Sequence, residues 1–553
     1  MKRNSFKLLC FALLGLLVAA CSNPKKMAKY ASEVSLECNP QVLEAVAGKI
    51  SATYTINFPA EYFAKKAILE VTPVLVYNGG EIAGPVLTLQ GEKVLENNQV
   101  VSYENGGSVS TTVTFDYVEG VEKSVLELRA TVYNKNRTKS VVYPEPFKIA
   151  DGTNTTYMLI STHGNPSFED DNYQKVIAET KEAQVLYLIN RYDVRNNQLK
   201  SEEVKAFQQF LLDVQKDERR TLKSNDIIAY ASPDGAEDYN GKLADRRKQS
   251  AEKAFNKTIN KKAKVNAPLN VQSIGEDWEG FQELVNQSNI QDKELILRVL
   301  SMYSDPAVRE REIKNMSSVY TTLAEKVLPE LRRARFIANI EYQNWTDEEL
   351  LQLINNDMDE LDEEALLYTA NNLVEKPEVM LALYEKAAAK FNSNRAYNNI
   401  AALHLYFGRK DEAKAALNKM TEKTSSYYNN MGVLAMQNKD YKAASEYFAK
   451  SDVQEAKWNQ GAIEVLNGNY EAALACLKGS NLPNEALVYI LLKQEDKAAP
   501  LLTCKCPADA YKRAIVAARK GDAATAKKEL ESAARQERFV KRAANDIEFA
   551  KIN

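Results

Sequence analysis

Three carboxylates lie close together at Glu276, Asp277 and Glu279, a spacing that could support general acid–base chemistry. Such chemistry also needs a nucleophile or a second type of catalytic group nearby, and the flanking sequence supplies neither. Acidic side chains are stabilised at the start of a helix by the positive end of the helix dipole. We therefore interpret this cluster as the first turn of a helix, and we predict that the protein is not an enzyme.

Two thiols, Cys504 and Cys506, form a motif with no third or fourth metal ligand beside it in the sequence, which is poor evidence for zinc. His163 and His404 are the only histidines, so most histidine-based metal sites and histidine acid–base chemistry are excluded. We predict no metal and no cofactor. One of the two thiols could pair with Cys476 in an oxidising compartment, or all three could be small buried thiols.

The first residues indicate export. Lys2 and Arg3 precede an apolar run at residues 6–20, which is shorter than the ~20 residues that a membrane-spanning helix needs. The run ends in Val18-Ala19-Ala20-Cys21, which resembles a bacterial lipobox. This resemblance implies a signal peptide at 1–20, a lipid on Cys21 and a tether at 21–33; the alternative is an ordinary cleaved signal with an incidental cysteine.

The residues after Cys21 lack the acidic run of surface-exported Bacteroidetes-type lipoproteins. The resemblance therefore favours an outer-membrane lipoprotein that faces the periplasm.

Length and charge restrict the remaining possibilities. The chain has 553 residues, which suggests three or four domains, and its 45% hydrophobic and 27% charged residues are typical of globular proteins. The 72 basic and 75 acidic residues leave a net charge of -3, so no bulk positive field attracts nucleic acid. We predict no nucleic-acid partner.

Residues 34–150 have the pattern of short strands. Residues 67–77, 109–117 and 124–133 are apolar and β-branched or alternate apolar with polar side chains, and Asn78-Gly79-Gly80 is a turn signal. Short alternating strands separated by Gly and Asn turns predict an immunoglobulin-like β-sandwich. We expect a spacer or adaptor, because the segment shows no cluster of chemically active side chains.

Residues 183–342 alternate predicted strands and helices. We predict strands at 185–190, 226–230 and 332–340, and helices at 201–214 and 238–255. A helical insertion at about 279–328 separates the second helix from the last strand. The stretch from Ile227 to Arg247, which contains Ser232-Pro233-Asp234-Gly235 and Tyr239-Asn240, resembles the peptidoglycan-reading segment of the OmpA C-terminal domain family.

This resemblance implies a pocket for the diaminopimelate end of a peptidoglycan stem peptide. Arg247 occupies the family's arginine position, where a guanidinium grips a carboxylate by two parallel hydrogen bonds. Asn240 and Asn190 match polar positions that line the family's pocket. Ser232 stands where the family has an aspartate, and Asp234, two residues later, could supply the missing charge.

Residues 346–553 are helical and repetitive. The turns at 408–413, 438–443 and 467–472 are versions of one sequence, and looser versions follow at 493–498 and 520–526. Their spacing is shorter than the ~34 residues of a regular tetratricopeptide repeat, so the array resembles a contracted member of that family. The resemblance implies a solenoid that presents a concave face to a protein partner.

Tyr-Asn-Asn recurs at 397–399 and 428–430, and Trp-Asn-Gln follows at 458–460. We expect Asn399 and Asn430 to be exposed and to hydrogen-bond an extended backbone; the alternative is that they stabilise helix packing within the array.

The fold class predicted from these segments is multidomain α+β, with an N-terminal β-sandwich, a central OmpA-like α/β domain and a C-terminal α-helical solenoid similar to tetratricopeptide repeats. The predicted function is a lipoprotein that tethers the outer membrane to peptidoglycan and holds a protein partner on its repeats. The alternative is an accessory lipoprotein for secretion, fimbrial or outer-membrane protein assembly whose OmpA-like domain does not bind peptidoglycan. A wall hydrolase is the third and least supported possibility.

Overall fold

The computed structural model describes residues 24–233, 237–263, 266–290, 293–315 and 317–552. The predicted signal peptide, Cys21 and Asp234 lie outside these residues. The chain divides into two compact units, one formed by Met1–Glu169 with Ala388–Asn553 and the other by Asp170–Ala387. We call them the sandwich–repeat unit, after the β-sandwich and the helical repeats that the sequence predicts in its two segments, and the central unit. The helices between residues 347 and 387 therefore group with the central unit, although the repeat pattern placed them with the later repeats.

A short helix and a mixed sheet form the first part of the sandwich–repeat unit. Their bounds are α1 (Pro24–Lys29), β1 (Ser35–Asn39), β2 (Val42–Val46), β3 (Lys49–Phe58), β4 (Ala67–Tyr77), β5 (Gly80–Ala83), β6 (Leu87–Gly91), β7 (Gln99–Val101), β8 (Gly107–Asp116), β9 (Val125–Asn134), β10 (Ser140–Val142) and β11 (Phe147–Asn154). The strand order is β1-β3-β2-β11-β9-β4-β6-β7, and β8, β10 and β5 pair with β3, β9 and β4. Burial alternates along β3 and β9, as expected of strands with one face on a core.

The central unit contains a four-stranded sheet of order β12-β15-β13-β14. The strands are β12 (Val176–Leu186), β13 (Arg220–Ala231), β14 (Leu269–Glu276) and β15 (Arg333–Gln343). Strand β14 runs parallel to β13, whereas β15 is antiparallel to both β12 and β13. Strand β12 begins earlier than predicted because it pairs with β15 along its whole length, from Val176 to Leu186.

The helices of the central unit pack around this sheet and form the insertion. They are α2 (Glu202–Val214), α3 (Glu237–Ala254), α4 (Lys261–Ala263), α5 (Trp278–Gln287), α6 (Lys293–Met302), α7 (Pro306–Asn315), α8 (Ser317–Lys326), α9 (Leu328–Leu331), α10 (Asp347–Asn356), α11 (Glu363–Tyr368) and α12 (Pro377–Phe391), which spans the boundary between units. Ser201 caps α2 by accepting a hydrogen bond from the Val204 amide, and Val204, Phe207 and Leu211, whose spacing puts them on one face of the helix, lie in the core.

Helix pairs make up the second part of the sandwich–repeat unit. The pairs are α13 (Asn394–Tyr406) with α14 (Lys410–Leu417), α15 (Ser425–Gln437) with α16 (Tyr441–Phe448), α17 (Gln454–Leu466) with α18 (Tyr470–Leu477), α19 (Pro483–Leu491) with α20 (Glu495–Ala498), and α21 (Pro507–Arg519) with α22 (Ala523–Ala533), before α23 (Glu537–Ala543). Each repeated turn in the sequence lies between the two helices of one pair. The structure therefore shows mixed α and β architecture with a large helical C-terminal region.

Small residues allow the first helices of the pairs to approach their neighbours. Gly432 and Gly461 follow the repeated asparagines by two positions, and a Cβ atom on Gly432 would lie 2.3 Å from the Phe448 ring. A Cβ atom on Gly461 would lie 2.7 Å from Leu477. The close packing of α15 on α16 and of α17 on α18 therefore requires glycine at these two positions.

Candidate functional site

The buried face of α3 carries two residues of the predicted peptidoglycan pocket. Asn240, Leu243 and Arg247 are 3%, 7% and 1% exposed, and their spacing puts them on one side of the helix. Ser232 follows β13 directly and is 3% exposed. The structure brings Ser232 and Asn240 together, because Asn240 Nδ2 donates to the Ser232 carbonyl at 3.1 Å.

Arg247 supports the loop that follows β12. Its Nε donates to the Arg191 carbonyl at 3.0 Å, and its Nη1 and Nη2 donate to the Tyr230 and Leu188 carbonyls at 2.8 and 3.4 Å. The Tyr187 ring lies 5.0 Å from the guanidinium carbon. Because a buried cation needs compensating acceptors, these contacts account for the position of Arg247 inside the domain. In the structure Arg247 positions the loop, and its role as a carboxylate ligand stays a prediction.

Asn190 lies in the loop that Arg247 supports. It is exposed and has a φ of 58°, a left-handed conformation that asparagine adopts more readily than most residues. Its neighbour Ile189 is 59% exposed. The structure therefore places Asn190 at the surface, close in sequence to the carbonyls that Arg247 binds.

Glu276, for which the sequence predicts a position at a helix start, supplies a carboxylate from the end of a strand. It is the last residue of β14, in register with Ala231 at the end of β13. Its Oε1 accepts a hydrogen bond from Asn240 Nδ2 at 2.9 Å, and its Oε2 accepts one from Trp278 Nε1 at 2.9 Å. Burial raises the pKa of Glu276, and the hydrogen bonds from Asn240 and Trp278 oppose that shift.

The hydrogen-bond network also includes a guanidinium group, which contacts the Ser232 side chain. Arg332 Nε donates to Ser232 Oγ at 3.3 Å, so Ser232 and Asn240 connect Arg332 to Glu276. The network thus holds a guanidinium and a carboxylate at the end of β13, where Ser232 replaces the aspartate that the family resemblance implies. Asp277 has a different role: it caps α5 through the Gly280 amide at 2.9 Å, as expected of an acid at a helix start.

An open cleft of about 480 Å³ lies beside Arg332. Three arginines line it together with apolar groups, and the lining residues are Leu186, Tyr187, Leu188, Ile189, Arg191, Arg195, Pro329 and Arg332. Clustered guanidinium groups favour carboxylate ligands, and the exposed Leu188 and Ile189 offer an apolar wall. This arrangement suits an anionic ligand with an apolar stem.

A second site lies on the helix pairs, where four asparagines bind a segment without helix or strand. We call residues 161–169 the strap, and Asn399, Asn430, Asn459 and Asn484 the ladder asparagines. Asn430 Oδ1 accepts from the Ser167 amide at 2.9 Å, and its Nδ2 donates to the Ser167 carbonyl at 2.9 Å. Each ladder side chain therefore satisfies both backbone groups of one strap residue.

The same paired geometry recurs along the strap. Asn399 binds the amide and carbonyl of Glu169 at 2.7 and 2.9 Å, and Asn459 binds those of Asn165 at 2.8 and 2.9 Å. Asn484 binds those of Ser161 at 3.0 and 2.9 Å. The contacts at 165, 167 and 169 involve every second residue, as an extended chain presents alternate residues to one side. Pro166 has no N–H and falls between two bound residues, so it leaves no donor unsatisfied.

The preceding asparagine in two repeats links neighbouring helix pairs. Asn398 Oδ1 accepts from Asn430 Nδ2 at 2.9 Å, and Asn429 Oδ1 accepts from Asn459 Nδ2 at 2.9 Å. Asn398 also donates to the Ser167 carbonyl at 3.0 Å. Both interpretations of the repeated asparagines therefore hold, since the side chains bind an extended backbone and also connect the helices.

The expected exposure of Asn399 and Asn430 is wrong: both are 0% exposed. The strap covers them, and the repeat sequence alone did not indicate that this segment would return to the array. The extended backbone that the array binds is therefore its own chain.

Glu548 fixes the segment that precedes the strap in sequence. The Glu548 carboxylate accepts hydrogen bonds from Asn154 Nδ2 at 2.7 Å, Thr156 Oγ1 at 2.9 Å and Arg519 Nε at 2.9 Å. Burial acts to raise the pKa of Glu548, but the hydrogen bonds and charge of Arg519 outweigh it, so the pKa lies below the ordinary value.

This lowered pKa predicts acid sensitivity of the sandwich–repeat unit. A carboxyl group with a depressed folded-state pKa contributes stability above its unfolded value, here 4.5, and loses that contribution as the pH falls through the folded value. We expect the free energy of unfolding to decrease as the pH is lowered from 4.5 through the folded-state pKa of Glu548. The decrease should be less steep in Glu548→Gln. Urea unfolding followed by Trp458 fluorescence, with Trp278 and Trp345 replaced by phenylalanine, measures this unit. Glu537→Gln, at an exposed glutamate, should keep the wild-type slope; an unchanged slope in Glu548→Gln would contradict the assignment.

The four cysteines in the described residues, Cys38, Cys476, Cys504 and Cys506, are free thiols. The pairing of Cys476 with one of the last two, which the sequence left open, is therefore not formed in this structure. Within the described residues, no helix combines the length and apolar character needed to cross a bilayer.

No family model matches the chain, and no curated protein matches it. Solved structures similar to it include a tetratricopeptide repeat protein from Parabacteroides merdae, at 14% identity and a TM-score of 0.28, over 43% of this chain and 99% of that one. PilW, a widely conserved type IV pilus biogenesis factor, is 18% identical with a TM-score of 0.25, over 34% of this chain and 92% of that one. The Cut9–Hcn1 hetero-tetramer structure is 13% identical with a TM-score of 0.29, over 57% of this chain and 71% of that one.

Proposed function

We propose that this chain is a non-enzymatic scaffold of the cell envelope, lipid-anchored through Cys21 to the outer membrane and facing the periplasm. Its central unit binds the stem peptide of peptidoglycan, and its repeats hold a protein partner. The ladder asparagines support the scaffold role because each of them binds the backbone amide and carbonyl of a strap residue, although Asn459 also accepts from the Asn165 side chain at 3.1 Å. They also hold the strap, which follows the β-sheet in sequence, on the helix pairs, and this gives a partner a preformed surface.

The observation that carries the peptidoglycan role is the network from Arg332 through Ser232 and Asn240 to Glu276. An uncrosslinked diaminopimelate end carries one carboxylate and one ammonium on adjacent bonds. The arginine cleft offers the cation for the carboxylate, and Glu276 offers the anion for the ammonium. On this proposal Arg191 and Arg332 bind the ligand directly, whereas Arg247 holds the loop of Arg191 in place.

One observation favours the alternative, an accessory lipoprotein for secretion, fimbrial or outer-membrane protein assembly. The Arg247 guanidinium already donates to three backbone carbonyls, and the OmpA-like resemblance assigns that group to the ligand. If the cleft arginines do not replace it, the central unit has a scaffolding role alone.

Co-sedimentation with purified peptidoglycan separates these proposals. We expect the wild-type protein to pellet, free diaminopimelate to compete, and Arg191→Ala to bind about ten- to a hundredfold more weakly, because one charge-assisted hydrogen bond is worth roughly 1.5–3 kcal/mol. Arg311→Ala is the matched control, since its side chain is 65% exposed on the helical insertion. Equal pelleting of Arg191→Ala and wild type would count against the cleft, and no pelleting of wild type would support the alternative. Release of soluble muropeptides in the same assay would contradict the non-enzymatic assignment.

A further inference from the structure

Three metal-ligating side chains converge just before and within the first turn of α21. The Cys504 and Cys506 sulfurs and a carboxylate oxygen of Asp509 all lie within 4.8 Å of one another. Cys504 is exposed, Cys506 is half-buried and Asp509 is 1% exposed. The sequence showed only the two thiols; the helix that begins at Pro507 adds the third ligand by placing Asp509 beside them.

Two arginine side chains hold the backbone of the loop that carries the thiols. Arg513 Nη1 donates to the Leu502 and Cys504 carbonyls at 3.0 and 2.7 Å, and Arg535 donates to the Lys505 carbonyl. The Cys506 amide donates to Cys504 Sγ at 3.1 Å, which orients that sulfur toward the start of α21. Cys506 is also the N-cap residue of α21, so its position is fixed relative to the first turn of that helix. These contacts preorganise the two thiols, as supporting contacts do in metal sites.

A buried lysine provides the charge balance that a metal centre of this composition needs. Lys512 is 3% exposed, and its Nζ lies 3.4 Å from Asp509 Oδ1 and 3.2 Å from the Pro483 carbonyl. Two thiolates and one carboxylate exceed the charge of a divalent cation by one unit. The Lys512 ammonium compensates that excess, and it can hold one Asp509 oxygen while the other binds the metal.

One side of the cluster faces a cavity of about 470 Å³. Its lining includes Cys506, Asp509 and Lys512, together with the apolar Leu159 and Phe539. A metal bound by the three protein groups would therefore have room for a fourth ligand on the cavity side. Tetrahedral zinc sites with three protein ligands and one open position have this arrangement.

We propose that Cys504, Cys506 and Asp509 bind one Zn²⁺, with the fourth coordination position open to the cavity beside Lys512. Two sulfur ligands favour a borderline-soft cation over Mg²⁺ or Ca²⁺, which prefer all-oxygen sites. The ligand atoms must close by about an ångström to reach Zn–S distances of ~2.3 Å and Zn–O distances of ~2.0–2.2 Å. Cys504 is exposed, so a change of its side-chain rotamer can supply that movement while the loop backbone keeps its hydrogen bonds. This site is independent of the peptidoglycan proposal.

Competition for Zn²⁺ against a chromophoric chelator tests the proposal on the reduced full-length protein. We expect one equivalent of Zn²⁺ per chain, and thiolate-to-metal charge-transfer absorption when Co²⁺ is substituted. Cys504→Ser should abolish stoichiometric Zn²⁺ binding. Because Cys504 is exposed, misfolding of this variant would not explain the loss. Lys512→Met should weaken binding about 10- to 100-fold, as loss of a supporting contact does. Cys476→Ser, which removes a thiol outside the site, should bind as wild type does.

Three results would contradict the proposed zinc site. The reduced protein could bind no stoichiometric Zn²⁺, or Cys504→Ser could bind Zn²⁺ with the same affinity as wild type. The third result is a Cys504–Cys506 disulfide whose reduction does not restore metal binding. Circular dichroism of each variant confirms that the helical fold is retained in the comparison.

Discussion

Replacing Asn430 with alanine is expected to lower the free energy of unfolding of the sandwich–repeat unit by about 3 kcal/mol. The side chain is 0% exposed and bonds the Ser167 amide, the Ser167 carbonyl and Asn398 Oδ1. Alanine leaves the buried Ser167 N–H without this acceptor, and an unsatisfied buried group costs roughly 1–3 kcal/mol. Loss of the donor to Asn398 and the cavity left by the amide add to that cost. Urea unfolding with Trp458 as the sole tryptophan measures the change.

Asn430→Asp distinguishes the hydrogen-bond explanation from simple packing. Aspartate has nearly the volume of asparagine and can still accept from the Ser167 amide, but it cannot donate to the Ser167 carbonyl or to Asn398. We expect it to destabilise at least as much as alanine does, because an acceptor then faces two other acceptors. The exposed Asn418, at the end of α14, is the matched control, and its alanine variant should change stability by no more than about 0.5 kcal/mol. If Asn430→Asp is as stable as the wild-type protein, the hydrogen bonds of Asn430 do not stabilise this unit.

Arg247→Met is expected to destabilise the central unit by about 4 kcal/mol, with the β12–α2 loop losing its position. The substitution leaves the carbonyls of Leu188, Arg191 and Tyr230 without their charged donor. Arg247→Lys should also be destabilising, because one ammonium cannot reproduce the fixed fork of a guanidinium. Chemical unfolding followed by Trp278 and Trp345 fluorescence, with Trp458 replaced by phenylalanine, measures this unit.

The neighbouring Arg246 provides the control for this prediction. It lies on the same helix but is exposed, so Arg246→Met should leave the stability of the central unit within about 0.5 kcal/mol of wild type. A stable Arg247→Met protein that no longer pellets with peptidoglycan would show that Arg247 is a ligand residue. That result would contradict the positioning role.

The predictable parts of this fold are those encoded by local patterns. The Ser201 cap, the buried face of α2 and the repeated turns between helices each follow from residues close together in sequence, and all are present. The asparagine pattern also indicated the chemistry of the ladder. It could not indicate the occupant, because Asn399 binds a residue 230 positions away and Asn484 binds one 323 positions away. Residues 161–169 have no apolar periodicity that could have indicated their position.

Prediction of the central pocket from the sequence had a similar limit. The sequence identified Ser232, Asn240 and Arg247 as a group, and the structure brings Ser232 and Asn240 into contact. It did not predict β14, whose polar residues give a weak strand pattern, so Glu276 was assigned to a helix start. The parallel pairing of β13 with β14 then places Glu276 beside the end of β13. The carboxylate therefore comes from a neighbouring strand, which the position of the family's aspartate could not reveal.

Amide side chains on the helix pairs bind the backbone of residues 161–169. Hydrogen–deuterium exchange of the full-length protein, resolved to single amides, measures whether these hydrogen bonds protect the backbone in solution. We expect slow exchange at Ser161, Asn165, Ser167 and Glu169, and fast exchange at Asn136 in the turn between β9 and β10. In Asn430→Ala the protection of Ser167 should be lost first. If those four amides exchange as fast as Asn136 in the wild-type protein, the ladder asparagines do not bind the strap in solution.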